Sequence, residues 1–139
     1  MVLFAQQRPK MRENLTRDIG AWVHSLSYKD LSPEVIDSVK RLCLDYVGQG
    51  LAGSTGNGIG ATGLRSIAPE IALAKLHPGD STVLGTDINS LPQYAALANG
   101  AFGHVHTLQD THREAVPTHI GCTIFPTAFA ISQMIDVDF

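Results

Sequence analysis

The sequence predicts an all-α chain. Three observations carry that reading: apolar residues recur at helical spacing from Leu15 onward, Ser32-Pro33-Glu34 opens a helix, and a run of small residues fills 93–103. Alternation of apolar and polar residues, the mark of a half-buried strand, is nearly missing. Four or five helices account for the pattern.

Residues 1–13 are polar and basic, with no period, and are expected to form a flexible arm. Leu15, Ile19, Trp22, Val23 and Leu26 then share one stripe of a 3.6-residue period, which predicts a helix over 15–27. Asn14 or Thr16 is the expected cap. A second helix is expected over 33–52. Ser32 offers a hydroxyl cap, Pro33 suits the first turn, and Glu34 stands near the positive helix end. Val35, Ile36, Val39, Leu42, Cys43, Tyr46 and Val47 form its apolar positions, and Gly53 is its expected stop.

The glycine-rich stretch from Ser54 to Gly60 superficially offers a phosphate cradle. No strand precedes it and no Gly-Lys-Ser/Thr follows, so it reads as a connector. Residues 62–76 suit a third helix, interrupted at Pro69. His77-Pro78-Gly79-Asp80 reads as a turn, and Ser81 to Gly85 as a short extended piece. Pro92 begins a helix expected over 91–106, whose small residues let another backbone approach closely. Helical periodicity fails over 108–121 and resumes in a last apolar helix over 123–135.

Composition narrows the function classes. The chain has 139 residues, with 10 Lys and Arg against 13 Asp and Glu, so no basic surplus exists for a nucleic-acid backbone. That length suits one domain with a real core. No apolar stretch approaches the length of a membrane span. The run Val2 to Ala5 is too short for a signal-peptide core. Two cysteines, Cys43 and Cys122, do not make a disulfide framework. The expected compartment is the cytoplasm, with the mitochondrion as the alternative. Apolar surface at Trp22, around 95–103 and over 124–134 leads us to expect a homo-oligomer or a partner chain.

The chemistry concentrates in one place. His104, His106, His112 and His119 lie within sixteen residues, with Asp110 and Glu114 among them. Loops held by packed helices are where sites tend to sit. Histidine can donate, accept or shuttle a proton near neutral pH, and a neighbouring carboxylate can orient it or act as a base. His104-x-His106 followed by Asp110 and His112 suggests a zinc site by ligand type. The spacing of the metallo-hydrolase pattern is wrong, since Leu108 and Gln109 stand where it needs Asp and His. No metal is therefore assigned, and His104 and His106 read as polar residues finishing a helix.

Ala95-Ala96-Leu97-Ala98-Asn99-Gly100-Ala101, leading into Leu108-Gln109-Asp110-Thr111-His112 and then His119 and Pro126, resembles the MmgE/PrpD family. Leu31-Ser32-Pro33-Glu34-Val35, Leu42-Cys43-Leu44-Asp45, Leu51-Ala52-Gly53-Ser54 and Ser81-Thr82-Val83-Leu84-Gly85 resemble it too, in the right order. The family contains 2-methylcitrate dehydratases and cis-aconitate decarboxylases. The segment His112 to His119, followed by Ile124-Phe125-Pro126, is more similar to the decarboxylase branch, particularly its fungal members. The resemblance implies that residues 14–139 are the N-terminal portion of the family's helical domain, without its lid domain.

It also implies a lyase acting on an aconitate- or alkylcitrate-type tricarboxylate. Such acid–base chemistry needs no cofactor. Carried over residue by residue, Asp110 and His112 are the catalytic candidates. Thr111, His119, Gln109 and Arg113 are the substrate-binding candidates. The family usually has two adjacent aspartates before the Thr-His pair, and here the first is Gln109, which can hydrogen-bond but cannot take a proton. A dehydratase and a non-catalytic helical module are the alternatives.

Overall fold

The computed structural model describes residues 14–55, 61–106, 108–113 and 118–137, with residues 61–67 described by backbone alone. The expected arm at 1–13, most of the glycine-rich connector and Glu114 lie outside the described residues. The chain divides into two compact units, 1–36 and 37–139.

In the first unit, helix α1 spans Leu15–Ser25. Asn14 stands at its start in a left-handed conformation, φ 75°, and its side chain makes no capping bond. Its carbonyl instead accepts from the Asp18 amide at 3.0 Å. Neither expected cap therefore works through its side chain at this end. The apolar stripe is as predicted, and Leu15, Ile19, Trp22 and Val23 on it are exposed. A 3-10 turn, Tyr28–Asp30, follows, held by the Ser27 amide donating to Asp30 Oδ2 at 2.8 Å. Helix α2 spans Pro33–Ser54. The start signal at Ser32 behaves as read: its Oγ accepts from the Val35 amide at 3.4 Å. The Ser32 hydroxyl, and then Glu34's own backbone amide, also hold the Glu34 carboxyl below its ordinary range.

The second unit contains the rest of α2, α3 (Ala61–Leu76), strands β1 (Pro78–Thr82) and β2 (Asn89–Ser90), α4 (Pro92–His104) and α5 (Gly121–Met134). The interruption expected at Pro69 does not occur, because α3 runs through it. A proline removes one helical hydrogen bond, which a sixteen-residue helix can lose without ending.

The chain is mostly helical but not purely α. Pro78 to Asp80, read as a turn, belongs to β1, which pairs antiparallel with β2 through Ser81 with Ser90 and Thr82 with Asn89. Pro78 and Gly79 favour leaving a helix, and the buried hydroxyls need partners. Ser90 Oγ donates to the His77 carbonyl and Ser81 Oγ to the Ala130 carbonyl, each at 2.8 Å. Gly85 turns the chain between the strands at φ +69°, where a side chain would be strained and would strike Ser54.

The core is built from Ala74, Val83, Ala95, Ala98, Phe102 and Ala130, with α4 at its centre. The small residues of α4 act as predicted. Gly53 of α2 lies directly on the Phe102 carbonyl, and a Cβ at Gly100 would come within 3.0 Å of the Cys122 carbonyl on α5. Buried Asn99 ties α4 to the ribbon, its Oδ1 accepting from Leu84 N and its Nδ2 donating to Thr82 O, both at 2.8 Å. Tyr46 of α2 donates to the Asn99 carbonyl at 3.2 Å and stacks on Phe125 of α5. Residues 108–113 and 118–120 thereby lie between two firmly packed helices.

Candidate active site

Both ends of the broken-period segment are anchored. Gln49 of α2 donates to the Leu108 carbonyl at 3.1 Å. At the far end, both Asp110 carboxylate oxygens accept from the Gly121 amide, at 3.0 and 3.2 Å. A carboxylate there meets unpaired amides and the positive end of α5. This is why α5 begins at Gly121, two residues before the expected start. Glycine leaves room for the carboxylate there, since a Cβ would stand 2.5 Å from Asp110 Oδ1 and push it away from the amide.

Asp110 holds His119 by a different atom. Its backbone carbonyl lies 3.0 Å from His119 Nδ1, and Thr111 Oγ1 lies 3.3 Å from the same nitrogen. A carbonyl can only accept, so Nδ1 carries a hydrogen. In the neutral ring, Nε2 then keeps its lone pair. His112 and Thr118 exchange backbone hydrogen bonds at 2.9 and 3.2 Å, which brings the two sides of the segment together. The side chains of Thr111, His112 and Arg113 are exposed.

Four of the six candidates divide between two cavities, and Gln109 and Arg113 line neither. His119 lines an open cleft of about 920 Å³ between α4 and α5, with His104, Thr118, Gly100 and Cys122. Asp110, Thr111 and His112 line a second cavity of about 380 Å³, floored by Val39, Leu42, Ile124 and Phe125. Ile120 belongs to both walls.

The sequence reads His104 as a helix-end residue. It does end α4, and it also joins the site. Its Nδ1 is 2.7 Å from Gln109 Nε2, and its ring meets that of His119 edge-on at 5.7 Å. Gln109 is the most enclosed of the candidates, 8% exposed. Cys122, considered in the sequence only for disulfides, donates to the His119 carbonyl at 3.3 Å. Burial, and then the nearby Asp110 charge, push its thiol up, so it stays protonated. The signal for both residues lay in the small-residue face of α4: the helix that packs closest to α5 brings its final histidine to the start of α5. Among the described residues, no three His, Cys, Asp or Glu side chains are grouped to hold a metal ion.

A family model described as the MmgE/PrpD N-terminal domain matches residues 17–138. The chain belongs to the MmgE/PrpD family. Among curated relatives, it is 31% identical over 124 residues to the cis-aconitate decarboxylase of Homo sapiens, covering 88% of this chain and 24% of that protein. It is 30% identical over 123 residues to the cis-aconitate decarboxylase-like protein oryM of Aspergillus oryzae, covering 87% and 24%. The cis-aconitate decarboxylase of Aspergillus terreus is 28% identical over 128 residues, with 89% and 24% covered. This MmgE/PrpD chain thus spans about a quarter of the length of the curated relatives it matches. No solved structure matches it.

Proposed function

We propose that this chain is the N-terminal helical portion of a cis-aconitate decarboxylase-like lyase acting on an aconitate- or alkylcitrate-type tricarboxylate. One observation supports this above the others: Asp110 sets both the start of α5 and the orientation of His119 beside an open cleft. The names of the similar proteins supply the substrate class.

Decarboxylation breaks a carbon–carboxylate bond and leaves an electron pair on the carbon skeleton. A proton must reach that carbon as CO₂ departs. His119, with Nδ1 pinned by a carbonyl, offers Nε2 for holding or delivering a proton. Asp110 orients His119 through its backbone carbonyl, and its carboxylate is the acid–base group on the neighbouring cavity, with His112 as the second. Thr111 and Arg113 complete the substrate-binding set, with Arg113 suited to grip a carboxylate in bidentate fashion, while Gln109, buried against His104, stands behind that histidine rather than in contact with substrate. Acid–base chemistry suffices, and no cofactor is invoked. A cytoplasmic location belongs to the same reading, supported by the free thiols of Cys43 and Cys122.

The test follows CO₂ release from cis-aconitate and an alkylated analogue, beside water loss from 2-methylcitrate. Decarboxylation is expected. Asp110→Asn and His112→Ala should each lower the rate by about 10²- to 10⁴-fold while leaving helicity unchanged. Water loss alone would move the assignment to a dehydratase. Gln109, which cannot take a proton, favours a second reading, a non-catalytic helical module. Silence in all three assays, from folded protein with candidate partner chains added, would make that reading the better one.

A further inference from the structure

Gln109 is a buried polar side chain with half of its hydrogen-bonding capacity unused. Its Nε2 meets His104 Nδ1 at 2.7 Å, while its Oε1 is buried without a partner. The side chain is more than nine-tenths enclosed, so leaving that oxygen unpaired is unfavourable. His104 is exposed and lines the same cleft as His119.

Of the groups around His104, Asp110 carries a charge, and its carboxylate is bound to the Gly121 amide. From α5, Cys122 Sγ lies 3.9 Å from His104 Nδ1 and is held as the thiol by burial. From α2, Tyr46 lies against Gly103, and burial keeps its hydroxyl protonated well above the ordinary tyrosine range. From the connecting segment come His119 and, bound at Gly121, the carboxylate of Asp110. The immediate partner that can answer a charge on His104 is therefore the Gln109 amide.

An amide differs from a carboxylate in offering both a donor and an acceptor. With the NH₂ group toward His104, Nδ1 accepts and the neutral ring carries its hydrogen on Nε2. With the amide turned over, Oε1 accepts Nδ1–H from an imidazolium. The same heavy-atom positions serve both arrangements. An aspartate or glutamate at 109 would only accept and would favour the charged ring at all times.

We propose that His104 is a second carboxylate-binding histidine of the cleft, and that Gln109 positions it, turning its amide when the ring takes up a proton from solvent on ligand entry. The inference rests on the reading of this cleft as a tricarboxylate site. It makes Gln109 a positioning residue, acting through His104.

Side-chain ¹⁵N NMR on the full chain tests this, with tricarballylate as a non-reacting tricarboxylate probe. In the free protein, His104 should be the neutral tautomer with hydrogen on Nε2. Tricarballylate should shift both His104 and His119 and raise the pH at which His104 titrates. Gln109→Glu should raise that pH without ligand, by about one pH unit or more. Gln109→Met should remove the tautomer preference and blunt the response to ligand. A purely structural Gln109 would affect unfolding and leave the His104 titration where it was. A hydrogen on Nδ1 in the free protein would overturn the proposal with no variant needed. If His119 responds to tricarballylate and His104 does not, the His104 assignment fails and the tricarboxylate reading stands. If neither responds, both fail.

Discussion

Asp110 acts through three oxygens with separable consequences. Its two carboxylate oxygens serve the first amide of α5, while its carbonyl serves His119. Asp110→Ala should therefore lower stability by about 0.5–2 kcal/mol, the usual loss for a helix N-terminal partner, as measured by urea unfolding. Asp110→Asn keeps one acceptor oxygen and should lose less. In both variants the backbone carbonyl still holds His119, so its tautomer should not change. Cys122 gives a pH-dependent readout. Its folded-state pKa is raised, by burial first and then by Asp110. The associated stability is complete below the ordinary thiol range and is lost as pH rises through the raised value, because the unfolded thiol ionises first. Iodoacetamide at mildly alkaline pH should accordingly alkylate Cys122 more slowly in the folded than in the urea-unfolded chain. The side-chain types of this region, Asp110, Thr111, His112 and His119, were legible in the sequence because titratable groups crowd where periodicity fails. The partnership of Gln109 with His104 was not, because it depends on how the end of α4 meets the start of α5.

At the level of elements, glycines on one helix have opposite duties. Gly48 and Gly53 both lie in α2, yet a Cβ at Gly48 meets nothing within 4 Å while one at Gly53 would overlap the Phe102 carbonyl. Gly48→Ala should therefore stabilise the chain by up to about 1 kcal/mol, the helix-propensity gain. Gly53→Ala should destabilise it by about 1–3 kcal/mol, because α2 must move away from α4. Thermal unfolding of the two variants side by side would check the pair, and equal effects would contradict this packing. The helices themselves were legible, since stripes such as Val35-Ile36-Val39 and starts such as Ser32-Pro33 are local signals. The ribbon was not. β2 is two residues long, too short for alternation to register, and β1 depends on partners far along the chain. Pro69 misled for a related reason: it weakens a helix locally, but packing decides whether the helix ends there.

For the whole molecule, the exposed apolar residues are the outstanding feature. Leu15, Ile19, Trp22 and Val23 on α1 are exposed in the first unit, and Leu97, Ile124, Ile131 and Met134 in the second. Such surface leads us to expect association with a second copy or a partner chain. Sedimentation velocity should show concentration-dependent association of the isolated chain, weakened by Trp22→Lys, and a concentration-independent monomer would contradict it. Within the second unit, the join between β1 and α5 has a further consequence. The Thr82 amide donates to Gln133 Oε1 at 2.9 Å, and Gln133 Nε2 returns a bond to Thr82 Oγ1 at 3.1 Å. That amide belongs to a two-stranded ribbon which would protect it poorly alone. Its partner is carried by a helix fifty-one residues away in sequence. Deuterium should therefore enter at Thr82 only when α5 lifts from the ribbon. Its uptake becomes a clock for the separation of two distant parts of the chain, readable with no ligand and no assay of turnover.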